Sequence, residues 1–422
     1  MRIVIATAVY HPMINGVAVF AHNLAMGLVR RGNEVVVICP SRTGKNYTRV
    51  EDGVKVHFLR SVQVKVYPDQ IHDVPEKKKI LGIKLPTLYR HGFRVSVFPA
   101  VEVRKILDEF QPDVVHIQVS DPIGLSVAAY ARKNNIPVVT TEHNQPEVLT
   151  EPLRVPKLVK KPVDALLSAY FVNRQSKSDF VTMPTKKAIQ YLLYSKGREF
   201  NVPVAAVSNG VDLSFFKPGK VSSVFYKKYG VPSGRPVVLY VGRVDPEKNV
   251  GSVIEAFRLT LAKVPSAVLL IVGDGVDKVR LMGLVEEDAL LKKSVIFAGR
   301  VVPPDLYEMY RLGSVFATAS EIETQGIVLV EAAASGLPLI AVDKGAVSEI
   351  CVNNENGFLC EPGDIEGISQ AMVKILSDDK LRAKFSKKSV EFASEHDFET
   401  TLDKFTNIYK RVIKVKKSDS AE

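Results

Sequence analysis

Short apolar runs alternate with stretches of helical spacing along most of this chain, the pattern of an α/β protein built on parallel sheets. Arg2-Ile-Val-Ile-Ala-Thr7 predicts a first buried strand, Val17 to Arg31 a helix ending at Gly32, and Glu34 to Cys39 a second strand. Asp113 to Ile117 and Ile136 to Thr141 continue the same sheet. Between Val64 and Val97 the pattern breaks, with prolines at 68, 75 and 86 and another at 99, and predicts an inserted loop and hairpin. After Ser208-Asn-Gly-Val-Asp212 the alternation resumes. Strands are predicted at Pro236–Gly242, Ala267–Gly273, Ser294–Phe297, Ser314–Thr318 and Pro338–Val342, with a helix at Ser252–Lys263. The two halves read as separate doubly wound domains. Ligands in such sheets bind beyond the carboxyl ends of the strands. A last amphipathic helix is expected from about Phe398 to Val415, followed by a short charged tail.

A chain of 422 residues exceeds one ordinary core, which agrees with two domains. Hydrophobic residues at 46% and charged residues at 24% are those of a soluble globular protein. Charge changes the picture more. Residues 1–200 carry 29 Lys and Arg against 17 Asp and Glu, whereas residues 201–422 carry 28 against 29. The first half therefore holds the whole net excess of +11. Its cations gather at Lys77-Lys78-Lys79, from Lys84 to Arg94, and at Arg154, Lys157, Lys160 and Lys161. Such a surface suits anionic lipid headgroups, or carries solvated lysines without a partner. Nucleic acid fits less well, since the chain lacks Trp and its basic clusters lack interleaved aromatics. Three unclustered cysteines, Cys39, Cys351 and Cys360, are expected as buried thiols in a reducing compartment. With no signal-peptide pattern and no long apolar run, a cytoplasmic protein is expected.

The candidate chemistry lies in loops that leave predicted strands. Gly242-Arg243 and Lys248 place two cations five residues apart, suited to a diphosphate: Arg as a fork, Lys as a point charge. A surface ion pair is the plainer reading of each. Glu323 and Glu331 flank Gly326, with Ile327 and Val328 opening a helix whose amides favour phosphate. An acidic helix start complementing the macrodipole is the alternative. Gly16 follows the first strand and can bring phosphate onto a helix, or mark an ordinary turn. Glu142-His143-Asn144 follows a buried strand, where a histidine can bond a sugar hydroxyl. His116, inside an apolar strand, reads as a satisfied core residue. Gly273-Asp-Gly275 and Phe297-Ala-Gly299-Arg300 are strand ends able to frame a flat base, or simply turns. No zinc motif, acidic D-x-D loop or P-loop occurs.

Taken in order, Gly16, His143, Ser208-Asn-Gly-Val-Asp212, Gly242-Arg243 with Lys248, Gly273-Asp-Gly275, Phe297-Ala-Gly299 and Glu323-x₇-Glu331 resemble the retaining glycosyltransferases of family 4. The similarity covers about residues 1–410. It implies GT-B architecture: two facing Rossmann-like domains, here residues 1–206 and 207–397, with residues 398–422 crossing back to the first. By the same resemblance Gly16 contacts the donor diphosphate, and Arg243 and Lys248 hold it and stabilise the leaving group. Glu323 faces the sugar, Glu331 the ribose, the Gly326–Val328 amides the phosphate, and His143 lines the sugar pocket. Gly273 and Arg300 belong to the donor-binding set. The family implies no cofactor and no catalytic metal. Asn15-Gly16 departs from the common Gly-Gly, and Glu323-Thr-Gln-Gly326 resembles the variant in bacterial diacylglycerol glucosyltransferases, as does Asp179-Phe-Val-Thr-Met-Pro184-Thr185. The expectation is a hexosyltransferase that moves glucose from UDP-glucose to diacylglycerol or a related lipid, peripheral on the inner face of the cell membrane. A soluble or polysaccharide-linked acceptor is the alternative, and a non-catalytic nucleotide-sugar-binding protein a more distant one.

Overall fold

The computed structural model describes residues 1–11, 13, 15–64, 79–80, 83–84, 93–118, 121–143, 157–194 and 201–419. The chain divides into one unit of Met1–Asn209 with Glu399–Glu422 and another of Gly210–Phe398.

In the first unit β1 (Arg2–Ala6), α1 (Gly16–Arg30), β2 (Glu34–Pro40), β3 (Tyr47–Glu51), β4 (Val54–Leu59), β5 (Ser61–Val64), β6 (Lys79–Ile80), β7 (Ile83–Lys84) and β8 (Phe93–Ser96) follow one another. Then come α2 (Ala100–Phe110), β9 (Val114–Ile117), α3 (Pro122–Lys133), β10 (Val138–Thr141), α4 (Lys157–Gln175), β11 (Phe180–Met183) and β12 (Val204–Ala206). Eight of the strands form one sheet in the order β12-β11-β10-β9-β1-β2-β4-β3, parallel throughout except where β3 pairs with β4. Strands covered on both faces need apolar residues at every position. Accordingly, Ile3 to Ala6 and Val35 to Cys39 are all buried. The strand order reverses at β1, between β9 and β2, which makes the carboxyl ends of β1 and β9 the place where a ligand crevice opens.

Of the predicted insertion, only the ends and one short central pair are described: β5 pairs antiparallel with β8, and β6 with β7. Residues 65–78, 81–82 and 85–92 lie outside the described residues, as do Asn144 and Arg154, so most of the basic clusters carry no structural description.

The last helix, α8 (Phe398–Asp419), packs within the first unit although it follows the second in sequence. Leu402, Phe405, Tyr409 and Val412 form its buried face at helical spacing. Phe405 meets Phe20 of α1 with ring centroids 5.7 Å apart, and the Tyr409 hydroxyl lies 2.6 Å from His116 Nδ1. Gly27 of α1 is required here, because a methyl group on it would sit 2.6 Å from Leu402 Cδ1. Arg31 donates to Glu399 at 2.7 Å and Asp403 at 2.6 Å, closing the seam at its exposed edge. The helix runs past the expected Val415, and Lys416 reaches Asp179 at 2.8 Å. Phe405→Ala is expected to cost about 3–5 kcal/mol, the usual range for emptying a fully buried aromatic site. Urea unfolding followed by a probe in the first unit checks it.

The second unit strings β13 (Val237–Val241), α5 (Val250–Thr260), β14 (Val268–Val272), β15 (Val295–Gly299), β16 (Val315–Ala317), α6 (Ile327–Ala334), β17 (Leu339–Val342), β18 (Gly357–Cys360) and α7 (Ile365–Ser377) into a parallel sheet of order β15-β14-β13-β16-β17-β18. Apolar layers cover both faces. Tyr240, Ile254 and Phe257 lie in one layer, and Leu239, Phe316 and Leu329 in the other. Here the order reverses between β13 and β16.

Candidate functional site

The loops that leave β13 and β16 meet at that reversal point. After β13 the chain makes one 3₁₀ turn, Pro246–Lys248, and Asn249 takes a left-handed conformation (φ 48°) before α5. Asparagine tolerates that region better than most residues. Its side-chain amide donates to the Ala319 carbonyl at 3.2 Å, tying this loop to the one beyond β16. Lys248 Nζ then lies 2.7 Å from Glu323 Oε1 and within 3.5 Å of Ser320 Oγ and the Ile322 carbonyl. Both side chains keep some access, at 17% for Lys248 and 16% for Glu323.

Arg243 is held by two carboxylates, Asp245 through Nη1 and Glu247 through Nη2, the second at 2.6 Å. Its carbonyl accepts from the buried Tyr240 hydroxyl at 2.6 Å. Asp245 also accepts from the Val276 amide at 3.0 Å. Burial raises the Asp245 pKa above the usual carboxylate range, while Arg243 opposes that shift. The guanidinium fork is thus fixed in direction before any ligand arrives.

Gly326 occupies the left-handed region (φ 74°) at the N-cap of α6, and Ile327 and Val328 provide the first helical amides. Glu331 stands on the second turn and accepts from the Tyr310 hydroxyl at 2.6 Å. Burial pushes its carboxyl up to about 7 despite that bond. The Glu323 backbone is clamped from the loop after β17, with Ala346 donating its amide to the Glu323 carbonyl at 3.1 Å. A methyl group on Gly345 would lie 2.8 Å from that same oxygen. On the neighbouring strand ends, Gly273 approaches so closely that a methyl group would fall 1.8 Å from the Gly242 carbonyl oxygen. Arg300, beyond β15, is exposed.

In the first unit Gly16 is the first residue of α1, and a methyl group there would meet nothing within 4 Å. Asn15 caps the helix through its side chain, accepting from the Ala18 amide at 2.8 Å. That gives the asparagine a structural role at this turn. His143 follows β10 as expected but is buried, with Nε2 2.6 Å from Gln118 Oε1. Burial lowers its pKa to about 3, and that of His116 to about 3 as well, so both rings are neutral at ordinary pH.

Residues 14–215 match the family model described as Glycosyltransferase Family 4, and residues 223–392 that described as Glycosyl transferases group 1. The alpha-monoglucosyldiacylglycerol synthase of Acholeplasma laidlawii is 30% identical over 367 residues, spanning 85% of this chain and 84% of the relative. The chain belongs to the group 1 and family 4 glycosyltransferases. A GDP-mannose-dependent alpha-mannosyltransferase of Mycobacterium tuberculosis is 28% identical over 370 residues, spanning 87% and 85% of the two chains. The structure of Anabaena HepE in complex with UDP-glucose superposes with a TM-score of 0.68 at 18% identity, covering 97% of this chain and 100% of that one. The architecture is accordingly GT-B.

Within the second unit of this glycosyltransferase, the fold joins Lys248 directly to Glu323, with Arg243 on the same loop as Lys248 and Glu331 on the helix that Gly326 opens. Sequence reasoning missed Asn249, Ser320, Tyr240, Tyr310, Asp245 and Gly345, which set these positions, whereas the Arg243–Glu247 pair is the ion pair it offered as the plainer reading. A weak signal existed for Gly345, a glycine just past a predicted strand. None existed for the two tyrosines, which read only as strand and helix core. Gln118 was also missed, since a lone polar residue after a strand carries no pattern. The three cysteines are free and buried. Among the described residues no group of three or more His, Cys, Asp or Glu is placed to hold a metal ion, and no helix is long and apolar enough to cross a membrane.

Proposed function

We propose that this glycosyltransferase moves a hexose from a nucleotide-sugar donor, with retention of configuration, to a hydroxyl of a membrane lipid such as diacylglycerol. The meeting of Lys248 and Glu323 at the strand-order reversal of the second sheet carries the donor part of this reading. In it, Arg243 and Lys248 take the donor diphosphate, whose oxygens replace Glu247 and Glu323 as partners of the two cations. Charge that grows on the leaving diphosphate then meets fixed positive groups, without a resident metal. Glu323, released from Lys248, faces the sugar, and the amides at Ile327 and Val328 add to the phosphate contacts. The acceptor hydroxyl approaches from the face of the departing diphosphate, and a donor phosphate oxygen takes its proton. Gly16 adds a phosphate contact and His143, neutral, lines the sugar pocket. Gly273 and Arg300 frame the nucleoside.

UDP-glucose is the leading donor. The glucosyl product in the Acholeplasma relative's name and the UDP-glucose complex of HepE support it. The mannosyltransferase relative makes GDP-mannose the second choice. The lipid acceptor rests on the same glucosyl relative and on the cationic excess of residues 1–200, where each Lys or Arg near an anionic surface is worth about 1 kcal/mol. Such an enzyme works as a peripheral protein on the cytoplasmic leaflet. Release of nucleoside diphosphate from UDP-, GDP- and ADP-sugars, with mixed micelles of diacylglycerol and anionic lipid, tests the whole reading. Lipid-dependent release with one donor supports it; release that ignores lipid moves the acceptor into solution; no release from any donor refutes it.

Glu331 gives this reading a pH signature. An ionised carboxylate accepts two ribose hydroxyl bonds, whereas a protonated one must give up an acceptor position. With its pKa raised to about 7, Glu331 should bind donor best above that pH, so the donor KM is expected to rise as pH falls from 8 to 6. Glu331→Gln should flatten the profile. Stability runs the other way: a folded pKa raised above the ordinary 4.5 of a free glutamate contributes stability below 4.5 that is lost as pH rises through about 7. His143 and His116, neutral throughout, add no inflection between pH 5 and 8.

A further inference from the structure

A cavity of about 210 Å³ lies wholly within the first unit, between α3 and the end of α4. Its floor holds Thr140 and Ser178, buried and joined hydroxyl to hydroxyl at 2.7 Å, beside the apolar Leu125. Three cations line it: Arg132 from the last turn of α3, Arg174 from the last turn of α4, and Lys177 just beyond. No carboxylate lines it. We infer that this cavity is a binding site for a small phosphate ester, separate from the donor site.

Charge is the first argument. Among the described residues none of the three cations forms an ion pair, and Arg174 only stacks over Tyr170 at 5.5 Å. The adjacent carboxylate, Asp179, is already engaged: it accepts from Lys416 at 2.8 Å and from the Val138 amide at 2.7 Å. Basic residues in a last helical turn also complement the macrodipole, but each helix end supplies only about −0.5 charge. Two ends against three cations leave a surplus of roughly +2, enough for a phosphate dianion. Two guanidinium forks provide bidentate donors to phosphate oxygens, and the paired hydroxyls a neutral polar floor.

Size and place are the second. The cavity is below the roughly 300–1,000 Å³ of pockets for drug-sized ligands, so it suits a glycerol phosphate and excludes a nucleotide sugar. Its cations lie where α3 and α4 end and β11 begins. Ile117 at the carboxyl end of β9 and Gly124 in the first turn of α3 complete the lining, whereas neither Gln118 nor His143 belongs to it. The site therefore does not depend on the donor and acceptor assignments above. Its ligand is either a free phosphate ester or the phosphodiester of a lipid headgroup, which share this chemistry.

The test uses the full chain. Glycerol 3-phosphate and inorganic phosphate are titrated calorimetrically at moderate salt. Flotation is measured in parallel with phosphatidylcholine vesicles, with and without phosphatidylglycerol. Wild type should bind at one saturable site, and Arg132→Ala/Arg174→Ala should weaken binding at least about tenfold, as expected for lost charge-assisted bonds. Lys177→Glu, at an exposed position, tests the same surplus should the double variant fold poorly. Lys105→Ala/Lys133→Ala removes two cations that do not line the cavity and should leave binding unchanged. Loss of soluble-ligand binding in the cavity variants identifies a free phosphate ester, and loss confined to phosphatidylglycerol vesicles identifies a headgroup. No binding of any probe, or equal binding by the cavity variants and the control, overturns the inference, whatever the outcome of the sugar-transfer assay.

Discussion

Arg243→Ala is expected to lower kcat by about 10²–10³ with saturating donor, the usual consequence of removing one preorganised donor from a site of developing negative charge. The argument rests on how Arg243 is held. Asp245 and Glu247 grip both ends of its fork, and the Tyr240 hydroxyl fixes its carbonyl. Little side-chain freedom remains to be lost when a diphosphate takes the place of Glu247. Arg243→Lys keeps the charge but loses the planar fork, so it should recover only part of the rate. Both variants need a circular-dichroism check, because removing Arg243 leaves Asp245 buried without its cation. Wild-type turnover by a folded Arg243→Ala protein would remove Arg243 from the mechanism.

An effect on stability as large as that of Phe405→Ala is expected at a glycine of the second unit. Gly273→Ala would drive a methyl group to within 1.8 Å of the Gly242 carbonyl oxygen, at a backbone φ of 146° that side chains rarely adopt. Neither neighbour can retreat. The Gly242 amide donates to the Val272 carbonyl at 3.0 Å, and the Gly273 amide to the Gly299 carbonyl at 2.8 Å, lacing three strand ends together. Overpacking and backbone strain together should cost about 3–5 kcal/mol. The thermal transition of the second unit should then fall by roughly 10 °C. Gly283→Ala is the matched control: nothing lies within 4 Å of the added methyl, it sits inside a helix, and it should be neutral or stabilising by up to about 1 kcal/mol. A Gly273→Ala protein that melts with wild type would show that these strand ends are looser than the geometry requires.

Much of the candidate site was legible because its residues announce themselves locally. Arg243 and Lys248 follow a run of five apolar residues, Val237–Val241, whose shortness and valine content mark a strand buried on both faces. Gly326 between Glu323 and Glu331 marked a helix mouth, which the left-handed N-cap at φ 74° matches. What local pattern could not convey was partnership. Lys248 and Glu323 stand 75 residues apart, and nothing between them says that their loops leave adjacent strands. Tyr310 and Glu331 meet across 21 residues for the same reason. His143 was readable as a residue at a strand end, but burial makes it neutral and Gln118 is its partner, and neither is local.

The sequence by itself determined the periodicities: an α/β chain, two doubly wound halves, the strands and the glycine-bearing loops beyond them. Those features follow from which side chains can be buried and where the backbone can turn, and both act over a few residues. Only the tertiary structure decided which loops share an edge, because that depends on the strand order β14-β13-β16, set by crossovers whose helices must cover the sheet on both faces. It also decided that Glu331 is held near neutrality and that α8 returns to the first unit, where Gly27 leaves room for Leu402. Charge state and docking are set by what surrounds a residue in space, and for these residues the surroundings come from distant segments of the chain.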